Sequence, residues 1–117
     1  MLYDSFYMET NVKNFANLDI RVGEILSAEI FEEAKKPAYI LKINFGKDIG
    51  IKKSSAQITN YEPSKLIGFR CVAIINLGDK QIGPIISQCL VLGSVDSNGK
   101  VLLLKPSEGS KLGDKIS

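Results

Sequence analysis

The sequence contains no histidine and no tryptophan, and only two cysteines and four prolines among 117 residues. Without histidine there is no imidazole for a nucleophilic triad, for general-base catalysis near neutral pH or for a metal site of the usual kind. Neither G-x-G-x-x-G nor G-x-x-x-x-G-K-[ST] occurs, so neither a dinucleotide fingerprint nor a P-loop is encoded. Cys71 and Cys89 lie in the apolar runs Arg-Cys-Val-Ala-Ile-Ile and Gln-Cys-Leu-Val-Leu with no C-x-x-C or other metal spacing. They are expected to be small buried thiols in a reducing compartment. The acidic pair Glu32-Glu33 sits in a polar stretch where neighbouring side chains diverge, which marks no catalytic centre. No catalytic residue, no metal and no cofactor is therefore expected. No apolar run approaches the roughly 20 residues of a membrane-spanning helix. The first 30 residues also lack a basic stretch followed by an apolar one, so the expectation is a cytoplasmic protein with no membrane insertion.

What remains is a chain with 44% hydrophobic and 24% charged residues, enough apolar material for one packed domain and too little length for two. That domain is expected over residues 11–117. Residues 1–10 hold Leu2, Tyr3, Phe6, Tyr7 and Met8 and read as an apolar extension that packs on the domain or on a second copy. The formal net charge is only +2, but it is unevenly spread. Residues 1–34 carry two basic side chains against seven acidic ones, whereas residues 35–80 carry nine basic against three acidic. Such a middle third presents either a basic face to an anionic partner or an ordinary solvated surface.

The residue pattern is that of a β protein. Asn11-Val-Lys-Asn-Phe-Ala-Asn17 reads as a short helix, with Asn11 able to cap it and Val12 and Phe15 on one face. From Leu18 to Phe31 the apolar residues change parity, which predicts one long strand with a bulge or sharp bend near Gly23. Tyr39, Leu41, Ile43 and Phe45 alternate strictly with Ile40, Lys42 and Asn44 and should line the core. A third strand is expected over 49–58, with an unusually polar second half. Pro63 and Gly68 then bracket a short helix. Further strands are expected over 69–76, 87–93 and 101–104, with a loop from Leu77 past Pro84. Asn98-Gly99 predicts a two-residue hairpin turn before the last strand. Five principal strands, a helix between the third and fourth and an added C-terminal hairpin describe a five-stranded Greek-key OB-fold barrel, with an SH3-like barrel or a small sandwich as alternatives.

Binding chemistry concentrates in Lys52-Lys53-Ser54-Ser55-Ala56-Gln57, which offers ammonium groups for phosphates and short hydrogen-bonding groups for base edges or 2′-hydroxyls. Strand parity places Lys52 and Ser54 on one face and Lys53, Ser55 and Gln57 on the other. Lys42, alternating outward from the preceding strand, joins this surface. Aromatic residues for base stacking are few, Tyr39 and Tyr61 being the candidates. From these residues alone, nucleic-acid binding and peptide or protein binding stand about equal.

Several segments resemble the CsaA family: Leu18-Asp-Ile-Arg-Val-Gly-Glu-Ile25, Glu33-Ala-Lys-Lys-Pro-Ala-Tyr39, Phe45 through Thr59, Gln81-Ile-Gly83 and Leu90-Val-Leu-Gly93. These are small export-related chaperones built on the tRNA-binding OB domain that is also appended to methionyl-tRNA synthetases. The resemblance runs from about Asn11 to the C-terminus. It implies a cytoplasmic homodimer that binds tRNA, assists unfolded precursor proteins, and uses neither catalysis nor a cofactor. Carried over by position, it adds Lys80, Gln81 and Ser87 to Lys52, Ser54, Ser55 and Gln57 as the RNA-facing set. Two positions depart from the family pattern. Asn76 is followed by Leu77-Gly78-Asp79 where an aromatic residue and two prolines are usual, and Gln88 stands where an acid is common.

Overall fold

The computed structural model describes residues 8–117. Most of the apolar extension expected over residues 1–10 lies outside the described residues; Met8, at its end, is 85% exposed. The described chain forms α1 (Val12–Ala16), β1 (Ile20–Ile30), β2 (Tyr39–Asn44), β3 (Ile51–Ala56), α2 (Pro63–Leu66), β4 (Arg70–Ile74), β5 (Lys80–Ile82), β6 (Ile85–Ser87), β7 (Leu90–Val91), β8 (Gly93–Val95) and β9 (Val101–Leu103).

Five strands make one antiparallel sheet in the order β3-β2-β1-β4-β7. It bends because β1 has two partners in succession. Residues Ile20–Glu24 pair with β4 and Glu24–Ile30 with β2, Glu24 standing opposite both Arg70 and Asn44. The sheet closes where the Gln88 amide donates to the Lys53 carbonyl at 2.7 Å, joining β3 to the segment that precedes β7. The result is a nearly closed five-stranded barrel of the OB type, with Ile25, Leu41, Ile43, Phe45, Leu66 and Cys71 essentially without solvent contact in its core. The alternation read in β2 is the one observed, inward at Tyr39, Leu41 and Ile43.

The parity change in β1 occurs three residues later than expected. The register with β2 slips between Ile25 and Ser27, leaving Leu26 turned outward. Gly23 has another function. A Cβ there would stand 2.6 Å from Ile43 and 2.7 Å from Phe45, so its absence lets those side chains fill the bend. The C-terminal hairpin β8–β9 forms as expected but not through a two-residue turn. The Asp96 carboxylate accepts from the Asn98 and Lys100 amides, both at 2.9 Å, and builds a three-residue loop. Asn98 thereby keeps a negative φ, and Gly99 alone takes the left-handed conformation, at φ +83°. The expected 77–84 loop is in part structured, since β5 and β6 pair as a hairpin. The single strand expected over 87–93 is broken into β6, β7 and the start of β8.

Helix α1 is capped as the sequence indicates, the Asn14 amide donating to the Asn11 side chain at 2.9 Å. None of its residues is buried. Asn76 ties it to the barrel by accepting from the Asp19 amide and donating to the Asn17 carbonyl, both at 2.8 Å.

Candidate nucleic-acid interface

The polar half of β3 divides by strand parity. Ser54 faces inward and is fully buried, its hydroxyl donating to the Cys89 carbonyl at 2.9 Å. It thus supports the barrel seam and has no surface to offer a ligand, although it belongs to the set read from the sequence. Lys52, on the same parity and opposite Ile43, is half-buried at the rim. Lys53 points outward, directly across from Lys42 on β2, and both are exposed. Like charges in facing positions of a sheet repel. Among the described residues neither lysine forms an ion pair.

Ser55 and Gln57 continue the outward parity and enter a groove of about 900 Å³ between the 31–38 loop and the β5–β6 hairpin. Lys80, Gln81 and Ser87 line it from the hairpin side, so the fold brings together five of the nine residues selected from the sequence. The Ser87 hydroxyl accepts from the Ser55 amide at 3.2 Å, which fixes both serines on the groove floor. The Gln81 side-chain amide donates to the Gly83 and Ile85 carbonyls at 2.6 and 3.1 Å, leaving its oxygen as the acceptor available to a ligand. Lys42, Lys52 and Lys53 lie outside the groove lining.

Sequence reasoning missed Lys35 and Lys36, which line the opposite wall together with Glu33. The signal was present, two adjacent lysines before a proline in a polar loop, but nothing local says that this loop folds over β3. Among the described residues no aromatic ring lines the groove. Tyr39 is buried and donates to the Tyr61 carbonyl at 2.7 Å, and the Tyr61 hydroxyl accepts from the Leu103 amide at 3.0 Å, so both tyrosines are structural.

Cys89 borders the same groove. Burial pushes its thiol up to about 11, opposed by the nearby Lys52 charge and the hydrogen bond with Ser54. Burial likewise raises Cys71 to about 12, reinforced by Cys89 and opposed by backbone hydrogen bonds. Both thiols are free and buried, as the sequence indicated. Among the described residues no three histidine, cysteine or acidic side chains gather in a metal-binding arrangement, and no helix is long and apolar enough to cross a membrane.

Chemically, the groove holds three ammonium groups at its walls and hydroxyl and amide groups at its floor. It can bind an anionic polymer and read its polar edges.

Comparison with known proteins identifies the family. Residues 20–115 match the family model described as "Putative tRNA binding domain". The structure superimposes on the CsaA chaperone protein of Picrophilus torridus with a TM-score of 0.88 and 49% identity, covering 93% of this chain and 100% of that one. For the chaperone CsaA of Bacillus anthracis strain Ames the TM-score is 0.88 and the identity 44%, over 94% and 100% of the two chains. The methionine–tRNA ligase of Pyrococcus horikoshii is 33% identical over 109 residues, 89% of this chain but 14% of the ligase. The chain spans only that small share of the curated relatives it matches.

Proposed function

The chain belongs to the tRNA binding domain family, in company with the CsaA chaperones, and from that premise we propose that it is a non-catalytic binding protein whose ligand is tRNA. The observation that carries this reading is the groove in which Ser55, Gln57, Lys80, Gln81 and Ser87 meet Lys35 and Lys36. The exposed Lys42 and Lys53 extend the basic surface beyond it along the sheet, with Lys52 at the rim. Phosphates engage the lysines, and the floor hydroxyls and amides read 2′-hydroxyls and exposed base edges.

One barrel offers few charges, so affinity for a large folded RNA gains from a homodimer that presents two copies of the groove at fixed separation. Val12 and Phe15 on α1, at 83% and 43% exposure, and, separately, Leu102 on β9 and Leu104 just after it, at 52% and 46%, are exposed apolar side chains available for such pairing. The same side chains favour a second reading, capture of unfolded precursor proteins on their way to export from the cytoplasm.

Titration of bulk tRNA at salt concentrations from about 50 to 200 mM tests the first reading, because each phosphate neutralised steepens the fall in affinity by about 0.9 on a log–log scale. A flat response rejects it. Suppression of aggregation of a model client at equimolar protein tests the second. Loss of suppression on changing Val12 and Phe15 to serine supports a role for these side chains, and no suppression by the unaltered protein rejects the reading.

A further inference from the structure

A second groove, of about 560 Å³, lies between the start of β4 and the turn that follows β9. We propose that it is a site for a nucleoside monophosphate, its base stacked on Phe69 and its phosphate held by Arg70. The site is separate from the tRNA groove in its residues, and its argument does not depend on that reading.

Phe69 is half-buried, and its ring is fixed by edge-to-face packing against Tyr61, with centroids 6.4 Å apart at 68°. The Lys105 ammonium covers it at 5.5 Å from the ring centroid. A cation over a half-buried phenylalanine at the surface is weakly held and sits on a flexible stem. A flat base can displace it, gaining a stacking surface that the tRNA groove lacks, while the freed ammonium turns to the phosphate.

Arg70 is already oriented for an anion. One of its terminal nitrogens donates to the Ser110 carbonyl at 2.5 Å, which pins the guanidinium at the groove edge. Its Nε faces a Glu24 carboxylate oxygen at 3.9 Å, a loose ion pair with which a phosphate must compete, while its second terminal nitrogen has no hydrogen-bond partner among the described residues. Lys111 adds a second cation to the lining. The turn is stiffened by Ser110, whose hydroxyl donates to the Ser107 carbonyl at 2.7 Å. Glu108 is the one acid in the lining. A carboxylate there repels phosphate but accepts from exocyclic amino groups, which selects a base bearing such a donor. The volume falls within the roughly 300–1,000 Å³ of small-ligand sites.

The nucleotide is either free or the unpaired phosphorylated end of an RNA. The test is an NMR titration of the isotope-labelled full chain with AMP, adenosine, inorganic phosphate and a 5′-phosphorylated tri-adenylate. Saturable shifts at Gly68–Arg70 and Lys105–Lys111 with AMP, about tenfold weaker with adenosine or phosphate alone, assign a free nucleotide. The same shifts with the oligonucleotide and not with AMP assign an RNA end. Phe69→Leu keeps the packing against Tyr61 without the aromatic face, and Arg70→Gln keeps a donor for Ser110 without the charge. Each is expected to weaken the response about tenfold, while the unperturbed remainder of the spectrum reports an intact fold. Absence of shifts at these residues with every probe, or shifts unchanged in both variants, overturns the proposal.

Discussion

Two grooves on one small barrel have matching charge and different floors. Between the 31–38 loop and the β5–β6 hairpin, Lys35, Lys36 and Lys80 stand over Ser55, Gln57 and Ser87, with Glu33 as the acid. Between β4 and the C-terminal turn, Arg70, Lys105 and Lys111 stand over Phe69, with Glu108 as the acid. Among the described residues three cations and one carboxylate line each groove, with Glu24 behind Arg70 at the second, so the charge of the lining does not distinguish their ligands. The surface between the charges does. A hydroxyl and amide floor suits the sugar and polar edges of a polymer, and an aromatic floor suits one flat base.

The strongest way to break this comparison is to reverse the charges on one side at a time. Changing Lys35, Lys36 and Lys80 to glutamate is expected to lower tRNA affinity by roughly a hundredfold or more and to reduce the salt slope by about 2.7, measured by filter binding. The equivalent reversal of Arg70, Lys105 and Lys111 should leave tRNA affinity within about threefold where that groove takes a free nucleotide, because long-range charge effects are largely screened at physiological salt, and should lower it further where the groove takes a phosphorylated RNA end. Equal losses in both would mean that the grooves act as one field.

The neighbouring serines of β3 sharpen it further. Ser54→Ala leaves the Cys89 carbonyl without its donor inside the barrel and should cost about 1–2 kcal/mol of stability by urea denaturation, with tRNA affinity unchanged in the folded protein. Ser55→Ala, by contrast, should change stability by less than about 0.5 kcal/mol and weaken tRNA about threefold, since a net hydrogen bond is worth about 0.5–1.5 kcal/mol. Loss of about fivefold is expected for Gln57→Ala by the same reasoning.

The smallest effect concerns the thiols. With Cys71 pushed to about 12 and Cys89 to about 11 from an ordinary 9.0, both stay protonated in the folded barrel at pH 8. A thiol reagent at that pH should label neither until urea unfolds the chain. The folded values are the raised ones, so this contribution to stability is fully present below pH 9 and is lost as pH climbs through 11 and 12. Labelling of either thiol in the absence of urea would contradict this burial.

The barrel was legible because its signals are local. Alternation in residues 39–45, the Pro63 and Gly68 brackets and the placement of α2 between β3 and β4 each follow from short-range chemistry. The groove was legible only in part. Ser54 and Ser55 have the same chemistry, and only the register with β2 separates the one facing Leu41 inside from the one facing Ile40 outside. Lys35 and Lys36 were missed because a loop's place over a distant hairpin is a tertiary fact. The bulge falls at Leu26 and not at Gly23, whose missing Cβ serves close packing against Ile43 and Phe45, a demand that strand parity does not reveal. The Asn98-Gly99 pair misled for a similar reason, since Asp96, two residues earlier, supplies the hydrogen bonds that decide the turn.

The last described residues run back along β1, with the Ile116 amide donating to the Ile20 carbonyl at 2.8 Å and the Gly113 amide to the Val22 carbonyl at 2.8 Å. The barrel's first strand and its final segment are therefore hydrogen-bonded neighbours on a single edge. Residues 113–116 thus act as a clasp on the start of β1, since Gly113 and Ile116 donate to it and the Val22 amide donates back to the Asp114 carbonyl at 2.9 Å. Cutting the chain before Gly113 would strip these bonds and loosen the barrel at its first strand, away from the groove between the 31–38 loop and the β5–β6 hairpin.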